Sequence, residues 1–471
     1  MIFPLAKSDT TIIIDTIYLL EVSMKIFTAR KITSVLCTCA LAFSFASTAL
    51  AANPFPIMDE RASAQYWEKP EYDAVIMDTQ QIAKYNQSVI AHKDSDLFDL
   101  DLLPKTYNRE KIQLMIKTAT QGYIDEELPE EYAGDKLLTK AQWQQALNNL
   151  NLNSVPDTKD AEYAICTDRA DVKLMPVAGG WYSEPNDINY NNLQGAILDP
   201  AQGVMILHRS LDNKFAFILM PDYMGWIELN KLAITDRNNW LTYADPQSFA
   251  VVQANKAYIG GSLYQMGATI PYTINTAKSN TADLSIPVRD KDGRLIITKE
   301  EYPLFDKAQN FDSPLHDGYL PYTRNNILRQ AFRFQGDEYG WGGQNNSVDC
   351  SAYMQNIYKS MGITLPQDAD DQEDVINCTS LQDMTIQQKL ATIKTMQPGA
   401  LIFCNGHVTM YLGQDKNDEP IIIHAVSSYG DETSGKLVGK YLRRISVTGM
   451  DFKFRSGKSF LDVIRNTGNV Q

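Results

Sequence analysis

Cys350 sits in the stretch YGWGGQNNSVDCSAYMQ, Tyr339 to Gln355, where three glycines and a tryptophan give way to polar residues and then to an apolar pattern. Tyr353, Met354, Ile357, Tyr358 and Met361 recur at helical spacing, and Gly362 can end that helix. Ser347 or Asp349 can cap its start. The cysteine therefore falls in the first turn. Free backbone N–H groups and the helix dipole favour negative charge there, so its thiol pKa is expected to fall. A thiolate is a good nucleophile, and the chemistry on offer is attack on a carbonyl.

A nucleophile needs a base. The chain has five histidines, and two of them lie in consecutive apolar runs, His407-Val-Thr-Met-Tyr-Leu and Pro420-Ile-Ile-Ile-His-Ala. The polar residues Gln414 to Glu419 between the runs predict a hairpin. Period-two alternation then puts His407 and His424 on one face, opposite or diagonal. One imidazole can take the thiol proton while the other fixes its tautomer, the task of Asp or Asn in other triads. His92, His208 and His316 lack this context and read as structural.

The elements that must position these residues are distributed over 471 residues, enough for three or four domains. A formal charge of −14 disfavours nucleic acid or an anionic membrane surface as partner. Residues 1–51 read as an export region. Met24 begins a basic start (Lys25, Arg30, Lys31), Val35 to Phe45 is apolar, and Ala49-Leu50-Ala51 ends in a cleavage site before Ala52. The signal itself spans 24–51, and Met1 to Ser23 reads as an over-called start. The apolar run is shorter than the ~20 residues of a spanning helix. Leu36 and Thr38 precede Cys37 and Cys39 where a lipoprotein signal has a small residue, so no lipid anchor is expected. The mature protein is then exported, periplasmic or secreted, without an integral membrane segment. Cys166, Cys350, Cys378 and Cys404 remain. Two disulfides are one reading, but about 420 residues bury a core without staples. Cys404 reads as a small buried hydrophobe, and a Cys378–Cys404 bridge is left open.

Residues 52–160 carry helical patterns, notably Asp73 to Tyr85 and Lys140 to Leu152. From 161 to 235, short apolar runs (Gly203 to His208, Phe215 to Leu219, Gly225 to Leu229) alternate with turns such as Ser210-Leu-Asp-Asn, the texture of a small barrel. Residues 236–316 repeat that texture, with Ala250 to Val252 and Leu284 to Val288 as strands and Asp290 to Gly293 as a hairpin turn. Residues 317–471 place helices first, Asn325 to Phe334 among them, and antiparallel strands after, an α+β arrangement.

Tyr339-Gly-Trp-Gly-Gly, Asp349-Cys350-Ser351, Gly362-Ile-Thr-Leu-Pro366 with Gln372, Pro398-Gly-Ala-Leu-Ile-Phe and Gly406-His407-Val together resemble the NlpC family of cell-wall cysteine peptidases. The match runs through most of residues 330–430 in the family's order. It departs at Gln367, where the family often has Arg. The resemblance implies a papain-like catalytic domain preceded by two bacterial SH3-like barrels and a helical stabilising segment. It implies Cys350 as nucleophile, His407 as base, His424 as third member and Tyr339 as oxyanion donor. It also implies that Asp349 and Ser351 meet substrate, and that a tyrosine of the first barrel, Tyr190 or Tyr182, helps Asp349 hold a free amine.

The resulting expectation is a monomeric endopeptidase cutting the bond between γ-D-glutamate and the diamino acid in peptidoglycan stem peptides with a free N-terminal L-Ala. No metal or cofactor is expected, since no ligand spacing clusters. The rivals are another acyl-transfer enzyme on the same fold (an amidase or transpeptidase) and a non-catalytic wall-binding protein. An intact Cys-His pair disfavours the latter.

Overall fold

The computed structural model describes residues 55–471 except residue 94 and the stretches 275–277, 279–280, 304–312 and 433–434. The stretch read as an export signal, 24–51, and the cleavage site expected before Ala52 lie outside the described residues.

The N-terminal segment contains helices Thr79–Ile90, Arg109–Ala119 and Lys140–Asn149. The first begins six residues later than the periodicity suggests. Pro70–Asp73 forms a separate 3-10 turn, and Asp78 makes a capping box with Gln81 that sets the start at Thr79. Thr139 and Gln142 do the same for the helix from Lys140. The segment reaches the C-terminal domain directly. Asn86 donates to the Gly362 carbonyl at 2.8 Å and accepts from the Thr364 amide at 3.0 Å.

Seven antiparallel strands follow between Glu162 and Thr235, in the spatial order 232–235, 162–166, 203–209, 215–220, 223–228, 170–173, 194–198. The strand Phe215–Met220 is buried at every position, for a reason its period-two alternation explains. Ala216, Ile218 and Met220 face the sheet's own core with Val204 and Ile206. Phe215, Phe217 and Leu219 face the helical segment, with Ile112, Met115 and Trp143. Covering both faces removes the polar alternation of a half-exposed strand. Helix Arg237–Ala244 leads to a second, five-stranded sheet in the order 295–303, 281–289, 269–274, 249–252, 315–317.

In the C-terminal domain, α1 (Arg324–Arg333) is capped by Thr323, and α2 (Cys350–Lys359) by Asp349. A six-stranded antiparallel sheet faces α2. Its strands β1 (Leu401–Cys404), β2 (His407–Gln414), β3 (Pro420–Asp431), β4 (Val438–Gly449) and β5 (Ile464–Gly468) stand in the order β5, β1, β2, β3, β4, with the short strand Thr379–Ser380 outside β5. Tyr353, Met354, Ile357, Tyr358 and Met361 of the helical stripe are at most 1% exposed and pack on Val408, Met410, Ile423 and Ala425. This burial fixes both the height and the rotation of the helix against the hairpin β2–β3. Gly362 takes φ +78°, and the Ile363 amide returns to the Tyr358 carbonyl at 3.1 Å, closing the helix.

Candidate active site

Asp349 opens α2 and is almost fully used by its neighbours. Its carboxylate accepts from the amides of Ala352 and Gly342, both at 2.9 Å, and from the Ser351 hydroxyl at 3.3 Å. One oxygen caps the helix; the other holds the glycine turn in front of it. Burial raises the Asp349 pKa, and these donors oppose the rise. Gln372, part of the motif that singles this region out, donates to the carbonyls of Ser351 and Pro366 and ties the following loop to the helix start.

Cys350 is buried, with the amides of Val408 and Ser351 directed at its sulfur. Val408 follows His407, so Cys350 packs against the hairpin that carries the two histidines. The expectation of a lowered thiol pKa is corrected by the structure. Burial, and then the Asp349 charge, push the Cys350 thiol up to about 12, against the help of the two amides. Magnitudes explain the outcome. A helix terminus supplies at most about 2 kcal/mol, roughly 1.5 pH units, whereas burial shifts a group by up to about 3–5 units. Burial likewise lowers His407 to about 4. The resting pair is therefore a neutral thiol and a neutral imidazole. Inactivation by iodoacetamide is expected to accelerate nearly tenfold per pH unit from pH 6 to 10, because the thiolate fraction keeps rising below its pKa. A rate that levels off below pH 7 would show an ion pair at rest instead.

His407 and His424 lie diagonally across β2 and β3, where Met410 pairs with Ile423. Nε2 of His407 is 2.9 Å from Nδ1 of His424, and Nε2 of His424 is 3.0 Å from Oγ1 of Thr448 on β4. The line has one consistent proton arrangement for a base. With Nδ1 of His407 as the basic nitrogen, His407 Nε2–H would donate to His424 Nδ1, and His424 Nε2–H to Thr448 Oγ1. His424 is fully buried, and its pKa is lowered well below that of a free imidazole by burial and by His407. Thr448, which no sequence signal marks, is within hydrogen-bond distance of His424 and so can orient it. Thr448→Val is expected to keep the fold and lower kcat roughly tenfold, the worth of one hydrogen bond, with KM nearly unchanged. A kcat equal to wild type would remove Thr448 from the line.

Tyr339 is the third element beside the nucleophile. Its hydroxyl is buried, and its pKa is raised well above the phenol range by burial, then by Cys350, Asp349 and Tyr190. Its phenol therefore stays protonated and keeps an O–H to donate. Of the two barrel tyrosines, the structure brings Tyr190 here and not Tyr182. The Tyr190 ring lies 6.3 Å from that of Tyr339 and 6.4 Å from that of Trp341, and its hydroxyl donates to Ser427 at 3.0 Å. Tyr182 turns away because its backbone pairs with Tyr132 in the helical segment. Gly342 and Gly343, at φ +54° and +85°, let the barrel approach this closely. A Cβ on either would lie 2.6 Å from Gln194 or 2.3 Å from Ile197.

The remaining candidates are structural. His208 bonds the Asn151 carbonyl and His316 that of Gly318. All four described cysteines are free thiols, Cys378 and Cys404 included. Among the described residues, no group of three or more His, Cys, Asp or Glu is placed to hold a metal ion. No helix among them is long and apolar enough to cross a membrane.

Comparisons with known proteins agree with this arrangement. The model of the NlpC/P60 family matches residues 336–443, and that of the SH3 domain (SH3b1 type) matches residues 181–228. Dipeptidyl-peptidase 6 of Lysinibacillus sphaericus is 30% identical over 92 residues, 19% of this chain and 30% of that protein. Gamma-D-glutamyl-L-lysine dipeptidyl-peptidase of Bacillus subtilis is 33% identical over 95 residues, 20% of this chain and 31% of that protein. The bifunctional muramidase/DL-endopeptidase CwlT of the same species is 30% identical over 123 residues, 23% of this chain and 32% of that protein. The chain spans about a third of the length of these curated relatives. A solved NlpC/P60 endopeptidase from Photobacterium damselae subsp. piscicida shares the fold, with a TM-score of 0.68 at 18% identity over 89% of this chain and 98% of that one. A buried cysteine at a helix start, a histidine pair in the facing hairpin and these matches lead to one conclusion: the chain carries an NlpC/P60-family domain, set behind an SH3 domain of the SH3b1 type.

Proposed function

We propose that this protein is an exported cysteine endopeptidase that hydrolyses the γ-D-glutamyl–diamino acid bond of peptidoglycan stem peptides carrying a free N-terminal L-Ala. The observation that carries the reading is the meeting of Tyr190 from the first barrel with Tyr339 and Trp341 beside Asp349 and Cys350. A barrel residue there closes one end of the groove. A short peptide that begins at the closed end fits; a stem still joined to a glycan strand does not. The buried Asp349 carboxylate beside Cys350 suits an ammonium group at that end.

In the mechanism, Cys350 Sγ forms a bond to the γ-carbonyl carbon while Nδ1 of His407 takes the thiol proton. The carbonyl electron pair moves onto oxygen, where the Tyr339 hydroxyl and the amides at the start of α2 donate. Collapse breaks the C–N bond, and His407 returns the proton to the departing amine. Water, deprotonated by His407, then hydrolyses the thioester and restores the thiol. His424 and Thr448 hold the imidazole upright through both halves. Mass spectrometry of the products from L-Ala-γ-D-Glu-diamino acid tripeptide tests the reading. L-Ala-D-Glu plus free diamino acid is the expected pair, and an intact tripeptide would overturn it.

A further inference from the structure

The strands β3 and β4 lose register between Val426 and Ser428, which pair with Arg444 and Tyr441. Leu442 and Arg443 therefore oppose Ser427 alone, a bulge at the rim of the site. Arg443 occupies the left-handed region at φ +48°. Its carbonyl accepts the Tyr339 amide at 2.9 Å, so the bulge and the oxyanion donor are built together. Its guanidinium lies 5.6 Å from the centre of the Tyr190 ring and 4.3 Å from that of Tyr441. Nε is buried and has no hydrogen-bond partner. Among the described residues no carboxylate pairs with Arg443, in a chain holding 57 acidic residues against 43 basic ones.

We propose that Arg443 is a specificity-determining residue of the groove and binds a carboxylate of the peptide substrate. This rests on the substrate class given above, whose members carry two kinds of carboxylate: the α-carboxylate of γ-linked D-Glu and the carboxylate of the diamino acid. The geometry supports it in three ways. The guanidinium lies over the Tyr441 ring and within cation–π range of the Tyr190 ring, contacts that leave its terminal N–H groups for a carboxylate. The bulge carries Arg443 beside Tyr339, whose amide its carbonyl accepts. Tyr190, which it touches, borders both Tyr339 and the closed end.

The test uses the full mature protein and three tripeptides: the free acid, the D-Glu α-amide and the diamino acid amide. For the wild type, one amide is expected to lower kcat/KM about ten- to a hundredfold, mainly through KM, the worth of a hydrogen-bonded charge. Arg443→Gln should lose the same factor on the free acid and nothing more on that amide, and Arg443→Lys should recover part of it. The sensitive amide identifies which carboxylate is bound. Equal kinetics of wild type and Arg443→Gln on the free acid would overturn the assignment. An equal loss by Arg443→Gln on all three peptides would also overturn it, since Arg443 would then act only through Tyr339. The wild-type comparison of acid and amides needs no variant to fold. A wild type that cleaves none of the three overturns the substrate class, and Arg443's role with it.

Discussion

Cys350→Ala is expected to abolish hydrolysis while the protein melts within a few degrees of wild type. Removing the nucleophile of a catalytic triad costs about a factor of a million in turnover, and nothing else in the site can replace it. Cys404, the nearest other thiol in sequence to His407, lies on β1 with its pKa pushed up to about 12 by burial. The fold should tolerate the change because α2 is anchored by Tyr353, Ile357 and Tyr358, all fully buried, and by the Asp349 cap. Losing one small side chain that is 8% exposed costs little beside that. Tripeptide turnover and a thermal melt on the same preparation decide the matter. Turnover near wild type in Cys350→Ala would remove the nucleophile from the mechanism.

What the sequence could disclose of this site follows from how far apart its parts lie. The cysteine announces itself through a local pattern, the helical stripe from Tyr353 to Met361 behind a capping Asp. The two histidines do so through a single hairpin, because its turn and alternation put both on one face. Thr448 is different. It lies on a third strand, 24 residues beyond His424, and a lone threonine in a strand carries no signal. The choice between Tyr190 and Tyr182 is equally silent, because both sit in an irregular loop. The deciding contacts are long-range: Tyr182 is drawn off by Tyr132, and the Asn191 amide is taken by Gln344 across 153 residues. The thiol pKa rises where the sequence points to a fall, because a helix start is visible in sequence, whereas burial by distant segments is not. The first helix starts at Thr79 although Asp73 to Met77 continues the apolar rhythm, because Asp78 makes the capping box.

After the nucleophile, the free amine of the substrate should matter most. A buried carboxylate that pairs with an ammonium group is worth about 2–5 kcal/mol when one partner is truncated, which is a factor of about thirty to several thousand. N-acetylating the tripeptide is therefore expected to lower wild-type kcat/KM by tens-fold or more, and stems joined to muramic acid should be poor substrates for the same reason. Asp349→Asn should lower kcat/KM on the free tripeptide comparably, but this change also disturbs the protein. Asparagine can still cap α2 through its oxygen, yet its amide nitrogen would face the Gly342 N–H that now donates to the carboxylate. The substrate-side change is the clean one, and the two together form a cycle: the acetylation penalty should shrink sharply in Asp349→Asn if carboxylate and amine are partners. Tyr190→Phe should show a weaker effect of the same kind, and Tyr182→Phe none, since only Tyr190 reaches Tyr339. A wild type that cleaves free and acetylated tripeptide equally well, or digests intact sacculi readily, would leave Asp349 as the cap of α2 and the anchor of the glycine turn, with its three donors as its whole purpose.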